Sequence, residues 1–201
     1  MQRKEDKKKH ILEAAIAVFA EEGYQYSLRK VTAIAGVNVA AVNYYFGSKQ
    51  ELSKALVHEV YTSLNEQQLK NIRELSNPST REIVFAFCSP YWDLYQQKTK
   101  ESQQRLKVVH QVFIDSNTEL RDIVFNMISN LYPLYYQALQ KNLPHLSNNE
   151  VWWRLLNLGG VTLMNLTGQL SFPPKLDIDV TEEDEKKLEW ILTFLTAGLS
   201  A

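Results

Sequence analysis

Four histidines, one cysteine and an acidic stretch are the chain's candidates for catalysis or metal binding, and their spacing suits neither. His10, His58, His110 and His145 are scattered, with no H-x-x-x-H or H-E-x-x-H pair to bring two useful groups onto one helix face. Cys88 stands in an apolar stretch, where a thiol reads as core filler. A lone cysteine makes neither an intramolecular disulfide nor a cysteine-only metal site. There is no phosphate-cradling glycine loop and no G-x-S-x-G, and Asp177 to Glu185 lack calcium-loop spacing. No catalytic residue, no metal and no cofactor is expected, and the chain reads against an enzyme.

The chemistry that remains is hydrogen bonding and charge. Ala35-Gly36-Val37-Asn38-Val39-Ala40-Ala41-Val42-Asn43-Tyr44-Tyr45-Phe46-Gly47-Ser48-Lys49 sets a turn, a very short helix, a second turn and a new helix start in one stretch. A helix that short is unstable alone and must be held by neighbours. Its predicted outward face is Val39, Ala40, Ala41, Asn43 and Tyr44, where a merely solvated helix would carry Lys or Glu. Small apolar groups allow close approach to a DNA major groove and can touch thymine methyls. The competing reading is a small helical hairpin buried in a bundle.

The elements that position this stretch are all helices. Strand signals are nearly absent, so the fold class is all-α. Five capping boxes precede apolar-periodic segments: Ser48/Glu51, Ser79/Glu82, Ser116/Glu119, Ser147/Glu150 and Thr181/Asp184. They divide the chain into about nine helices, near 5–22, 28–35, 39–46, 48–73, 80–97, 101–114, 117–142, 148–171 and 182–199. Ser27 and Asn38 cap the second and third, and Gly23, Gly36 and Gly47 end the first three. Val37 and Val42 form a hydrophobic staple around Asn38. Leu28, Val31, Ala35, Val37, Val42 and Phe46 point inward. The second and third helices thus read as a helix-turn-helix. Pro90 and Pro133 fall inside apparent helices, as kinks or as misplaced boundaries. Pro173-Pro174 ends the eighth.

Charge is asymmetric. Residues 1–60 hold nine Lys/Arg against seven Asp/Glu, in a chain of net charge −1. Arg3, Lys4, Lys7, Lys8 and Lys9 make either a solvated polar tail or an arm that contacts phosphates. No apolar run is long enough to span a membrane, and the polar start is unlike a signal peptide. With the lone cysteine, this points to the cytoplasm.

Gly23-Tyr24, Ser27-Leu28-Arg29, Ala35-Gly36-Val37-Asn38 and Tyr45-Phe46-Gly47-Ser48-Lys49-Gln50-Glu51-Leu52 resemble the TetR-type transcriptional regulators, over about residues 8–55. Asn43 departs from the family's usual Tyr and Tyr45 from its usual His. The resemblance implies a DNA-binding head over 1–48 and a ligand-binding and dimerisation domain over 49–201. It implies a homodimer on a palindromic operator in double-stranded DNA. By position, Arg29 would reach a guanine edge, and Val39, Ala40, Ala41 and Tyr44 would face bases. Ser27, Asn43, Tyr45 and Lys49 would hold phosphates, with Lys30 and Asn38 beside them.

Leu28 to Ser48 looks closest to the PsrA-like branch, which senses long-chain fatty acids or their CoA esters. The aromatics of 80–145 by themselves read as ordinary core. The resemblance, not their number, suggests a pocket for a small hydrophobic effector, built from Phe85, Cys88, Trp92, Lys107, His110, Phe113, Ile128, Tyr135 and Arg154. Lys107, His110 or Arg154 could meet a carboxylate. The eighth and ninth helices are apolar nearly all round, and a helix of that kind is buried. They would pair with their mates in a dimer through Trp152, Leu156, Gly159, Gly160, Leu163, Trp190 and Phe194. Two alternatives stand beside this reading: a regulator of a multidrug efflux operon, or a helical binding protein that no longer grips DNA.

Overall fold

A computed structural model describes residues 2–114, 118–168 and 184–201. Among them there are ten α-helices and no strand. In order they are α1 (Gln2–Glu22), a 3₁₀ turn (Gly23–Gln25), α2 (Leu28–Ala35), α3 (Val39–Phe46), α4 (Lys49–Glu74), α5 (Thr80–Gln96), α6 (Lys100–Ile114), α7 (Thr118–Ile128), α8 (Tyr132–Asn142), α9 (Asn148–Leu166) and α10 (Asp184–Ser200). The caps at Ser27, Asn38, Ser79 and Ser147 bond as read, each side chain accepting from a backbone N–H three residues on. Ser48 accepts from Glu51 in the same way (3.1 Å). Only at Ser79 is the box reciprocal, with Glu82 returning a bond to the cap backbone. The expected caps at Ser116 and Thr181 and Pro173-Pro174 lie outside the described residues, but the helix those prolines were expected to stop ends earlier, at Leu166, with Gly168 at φ +71° just beyond.

The helix expected over 117–142 is two. Residues 129–131 turn, and Pro133 opens α8 within its first two positions. A missing N–H costs least there, because that donor has no helical partner anyway. Pro90 behaves differently and stays inside α5. The Ala86 carbonyl it frees accepts Asn71 Nδ2 (3.2 Å), and the next carbonyl, of Phe87, accepts Gln68 Nε2 (2.8 Å). Both donors sit on α4, and Gln68 is buried. An internal proline is tolerated when neighbouring side chains replace the lost bond.

The chain divides into two compact units, 1–63 with 99–127, and 64–98 with 128–201. In the first, α1 packs against α6 and α2. Ile11, Ala15, Ile16 and Phe19 of α1 are fully buried with Val31 of α2 and Val42 of α3. Two ion pairs, Arg105–Glu13 and Lys107–Glu21, also join α6 to α1. In the second, α5 packs against α8, α9 and α10 around Phe87, Tyr135 and Leu155. No helix among the described residues is long and apolar enough to cross a membrane.

Candidate nucleic-acid interface

The helix-turn-helix is built almost entirely from local hydrogen bonds. Gly23 takes φ +63° and ends α1. The Glu22 carboxylate then reaches forward: one oxygen accepts the Ser27 N–H (2.7 Å) and the other pairs with the Lys30 ammonium. Those bonds, from Lys30 first and Ser27 second, hold its pKa below the ordinary value. α2 closes at Gly36, also left-handed at φ +63°, whose N–H donates to Ala33 and Thr32 carbonyls. Asn38 Oδ1 accepts the Ala41 N–H (2.9 Å) and starts α3. Gly47 at φ +85° ends it, donating to Asn43 O (2.9 Å). Two left-handed positions thus bracket an eight-residue helix, and a side chain at either would strain it.

α3 turns Val42 into the core and leaves Val39, Ala40, Asn43 and Tyr44 exposed; Tyr44 is 68% exposed. Ala41, expected outward, is half-buried, and its N–H bonds the Asn38 cap. Tyr44 and Tyr45 stack edge to face at 5.1 Å. At the other end of the motif, Tyr26 is buried and donates its hydroxyl to the Lys49 carbonyl (3.3 Å). The Lys49 ammonium lies over the Tyr26 ring at 4.5 Å and the Tyr24 ring at 5.8 Å. This fixes the start of α4 against the turn that precedes α2.

Charge pairing sorts the cations. In the first unit Lys30, Lys54, Arg105 and Lys107 pair with Glu22, Glu51 and Glu119, Glu13, and Glu21. Lys4, Lys7, Lys8, Lys9, Arg29 and Lys49 make no ion pair among the described residues. Lys30, expected at the interface as a free cation, is already neutralised eight residues back. Arg29 is exposed and unpaired beside it. Ser27 and Asn38 accept cap bonds through their oxygens, which leaves the Ser27 O–H and the Asn38 Nδ2 as donors.

The effector residues gathered by sequence fall in both units. Lys107, His110 and Phe113 belong to the first unit, the others to the second. Lys107 is tied to Glu21 (2.7 Å). His110 is buried, which lowers its pKa. Arg154 spends both guanidinium arms within the fold. Nη1 donates to the Gly198 and Leu199 carbonyls (3.0 and 2.8 Å), and Nη2 pairs with Glu150 (2.6 Å). It satisfies the open C-terminus of α10 and is not poised for a carboxylate. Cys88 Sγ lies 3.2 Å from Thr162 Oγ1 and burial pushes its thiol up to about 12. Tyr135 is wholly buried and donates to Gln68 O (3.0 Å). Phe85 is exposed and Ile128 half-buried.

The second unit carries a hollow of about 480 Å³, and of the expected effector residues Trp92 lines it. It is lined by Trp92 and Tyr95 of α5, Val161, Met164, Asn165 and Leu166 of α9, and Lys187, Trp190, Ile191 and Phe194 of α10. The i, i+3 aromatic pair Trp92/Tyr95 and the apolar stripe Trp190/Ile191/Phe194 were the available signals. Of the expected dimer residues, Trp152, Leu156, Trp190 and Phe194 are exposed. Leu163 is buried in its own unit. Gly159 is buried too, a Cβ there meeting the Phe87 ring at 3.9 Å. Gly160 is half-buried.

Residues 11–56 match the bacterial regulatory proteins of the tetR family, and residues 85–198 match the tetracyclin repressor-like C-terminal domain. The repressor NicS of Pseudomonas putida is 35% identical over 89 residues, 43% of this chain and 40% of that one. The chain therefore aligns with under half the length of this curated relative. Two solved structures share the fold over nearly the whole chain. AibR, in complex with isovaleryl coenzyme A and operator DNA, gives a TM-score of 0.70 at 17% identity, covering 94% of this chain and 98% of that one. FadR of Bacillus subtilis, in complex with stearoyl-CoA, gives 0.62 at 19%, with the same coverage. Capped short helices between left-handed glycines, an exposed Val-Ala face and two matched domains have one common explanation: the chain belongs to the TetR family of transcriptional regulators.

Proposed function

We propose that the chain is a homodimeric, cytoplasmic repressor released from a palindromic operator by a long-chain fatty acid or its CoA ester. Residues 1–48 read DNA, and 49–201 bind effector and dimerise. The α3 face carries this reading. It exposes Val39, Ala40, Asn43 and Tyr44 without an acidic group, and Arg29 stands unpaired at the start of α2. Phosphate contacts from Asn43, Tyr45 and Lys49 position the head, while Arg29 and Tyr44 specify bases. A two-fold dimer matches a two-fold operator. Exposed Trp152, Trp153, Leu156, Trp190 and Phe194 supply the apolar surface a partner copy would cover.

The hollow of the second unit supports an apolar effector. Its lining is aromatic and aliphatic, which suits an acyl chain, while Lys187 at the same hollow is paired with Asp184 (3.7 Å). Acyl-CoA complexes among proteins of the same fold, and the likeness of Leu28–Ser48 to the PsrA-like branch, agree with this class. Operator release measured across a series of acyl chain lengths tests it. Release by long acyl-CoA is expected. Silence to every fatty acid and acyl-CoA, with release by a cationic aromatic drug, overturns it in favour of the efflux-regulator reading.

A further inference from the structure

The basic start of the chain is not a loose arm. α1 is helical from Gln2, so Lys4, Lys7 and Lys8 follow i, i+3, i+4 spacing and share one face. That face is turned to the helix-turn-helix. The Lys4 ammonium lies 5.0 Å from the centre of the Tyr44 ring, and that of Lys8 5.6 Å from the centre of Phe46. Lys7 lines a polar concavity with Thr32, Gly36, Asn38 and Ala41, the turn and first residues of the motif. None of the three has an ion-pair partner among the described residues. Glu13, Glu21, Glu22, Glu51 and Glu119 of the unit are spent elsewhere, on Arg105, Lys107, Lys30 and Lys54. Lys9 looks the other way, into a hollow shared with Asp6, Glu13 and Glu101.

A cation on an aromatic face keeps its remaining donors free, because the ring engages charge rather than lone pairs. Seated this way, the ammonium groups flank α3 on the side where its exposed residues end. We propose that Lys4 and Lys8, with Lys7 beside them, are DNA-backbone contacts held in place by the recognition helix itself. Tyr44 and Phe46 act as their seats. This rests on the reading of α3 as the DNA-reading helix. It adds a phosphate grip from outside the motif that defines the family, and it couples that grip to the orientation of Tyr44.

The probe is the set of duplexes the wild-type chain recovers from a random-sequence pool, titrated by fluorescence anisotropy over a salt series. Each phosphate contact contributes about 0.9 to the slope of log affinity against log salt. K4A/K8A is expected to lower that slope by about 1.8 per head, with K4R/K8R restoring it. K9A removes one such charge from the opposite face and should leave the slope as it was. K4Q/K8Q repeats the loss with side-chain length kept, should the alanine variant melt early. An unchanged slope in K4Q/K8Q overturns the proposal. So does a fall of about 0.9 in K9A, half that of the double variant, which would mean bulk charge rather than seated contacts. A wild-type chain that recovers no duplex sinks the DNA-binding reading itself, and this one with it.

Discussion

Among the helices that expose apolar residues, α3 and α9 expose different kinds. α3 presents Val39 and Ala40 with Tyr44 at its end, while α9 presents Trp152, Trp153, Leu156 and Met164. Small groups on an eight-residue helix bury little area and allow another surface to come close. Large rings on a nineteen-residue helix bury much area and bring hydrophobic free energy with it. The first face is suited to reading a groove whose affinity comes from charge nearby. The second is suited to a lasting protein contact. The α3 face is held by hydrogen-bonded caps and glycine turns, and the α9 face by the packing of α5, α8 and α10 behind it.

The sharpest way to break this contrast is to charge the second face. W152E/L156E should convert a dimer to a monomer in sedimentation, since each buried apolar anchor of this kind is worth about 2 kcal/mol or more. A dimer that survives both changes places the partner elsewhere. Next, Gln68→Leu leaves the Phe87 carbonyl buried without its donor, and should lower unfolding free energy by about 1–3 kcal/mol in urea titration. Arg29→Ala should cost about 1–3 kcal/mol at one base position and relax preference there, read by competition among single-site operator variants. Lys49→Ala should weaken all sequences alike and take about 0.9 off the salt slope, whereas Lys30→Ala, its charge already met by Glu22, should take off less. The smallest effect concerns pH. The Glu22 pKa is held down, so its contribution to stability is fully present above the ordinary carboxylate value of 4.5 and is lost as pH falls through the lower folded value. Glu22→Gln should remove that part of the acid-side fall in melting temperature. An acid limb unchanged from wild type means that the Lys30 and Ser27 bonds do not persist in solution.

What could be read from sequence was local. Ser27, Asn38, Ser48, Ser79 and Ser147 announce helix starts because a cap involves only a backbone N–H three residues away. Gly36 and Gly47 announce ends because left-handed backbone favours glycine. What was missed depended on residues distant in sequence. Arg154 looked free to meet a carboxylate until the end of α10, forty-four positions away, turned out to need its donors. Lys107 looked like a ligand group until α6 proved to lie along α1 beside Glu21. The hollow was legible only at Trp92 for the same reason: Trp92, Met164 and Trp190 come from three helices. Pro133 was a boundary and Pro90 was not, and the difference lies in Asn71 and Gln68, which supply replacement donors to the α5 carbonyls around Pro90.

That last arrangement has a consequence for how the sequence can drift. A proline at 90 is matched by a donor from half-buried Asn71, which also reaches Ser89 Oγ (3.0 Å), and supported by one from buried Gln68. Positions 68, 71 and 90 therefore form one unit of inheritance. Relatives that replace the proline should be free to carry apolar residues at both α4 positions, while relatives that keep it should retain side-chain amides there.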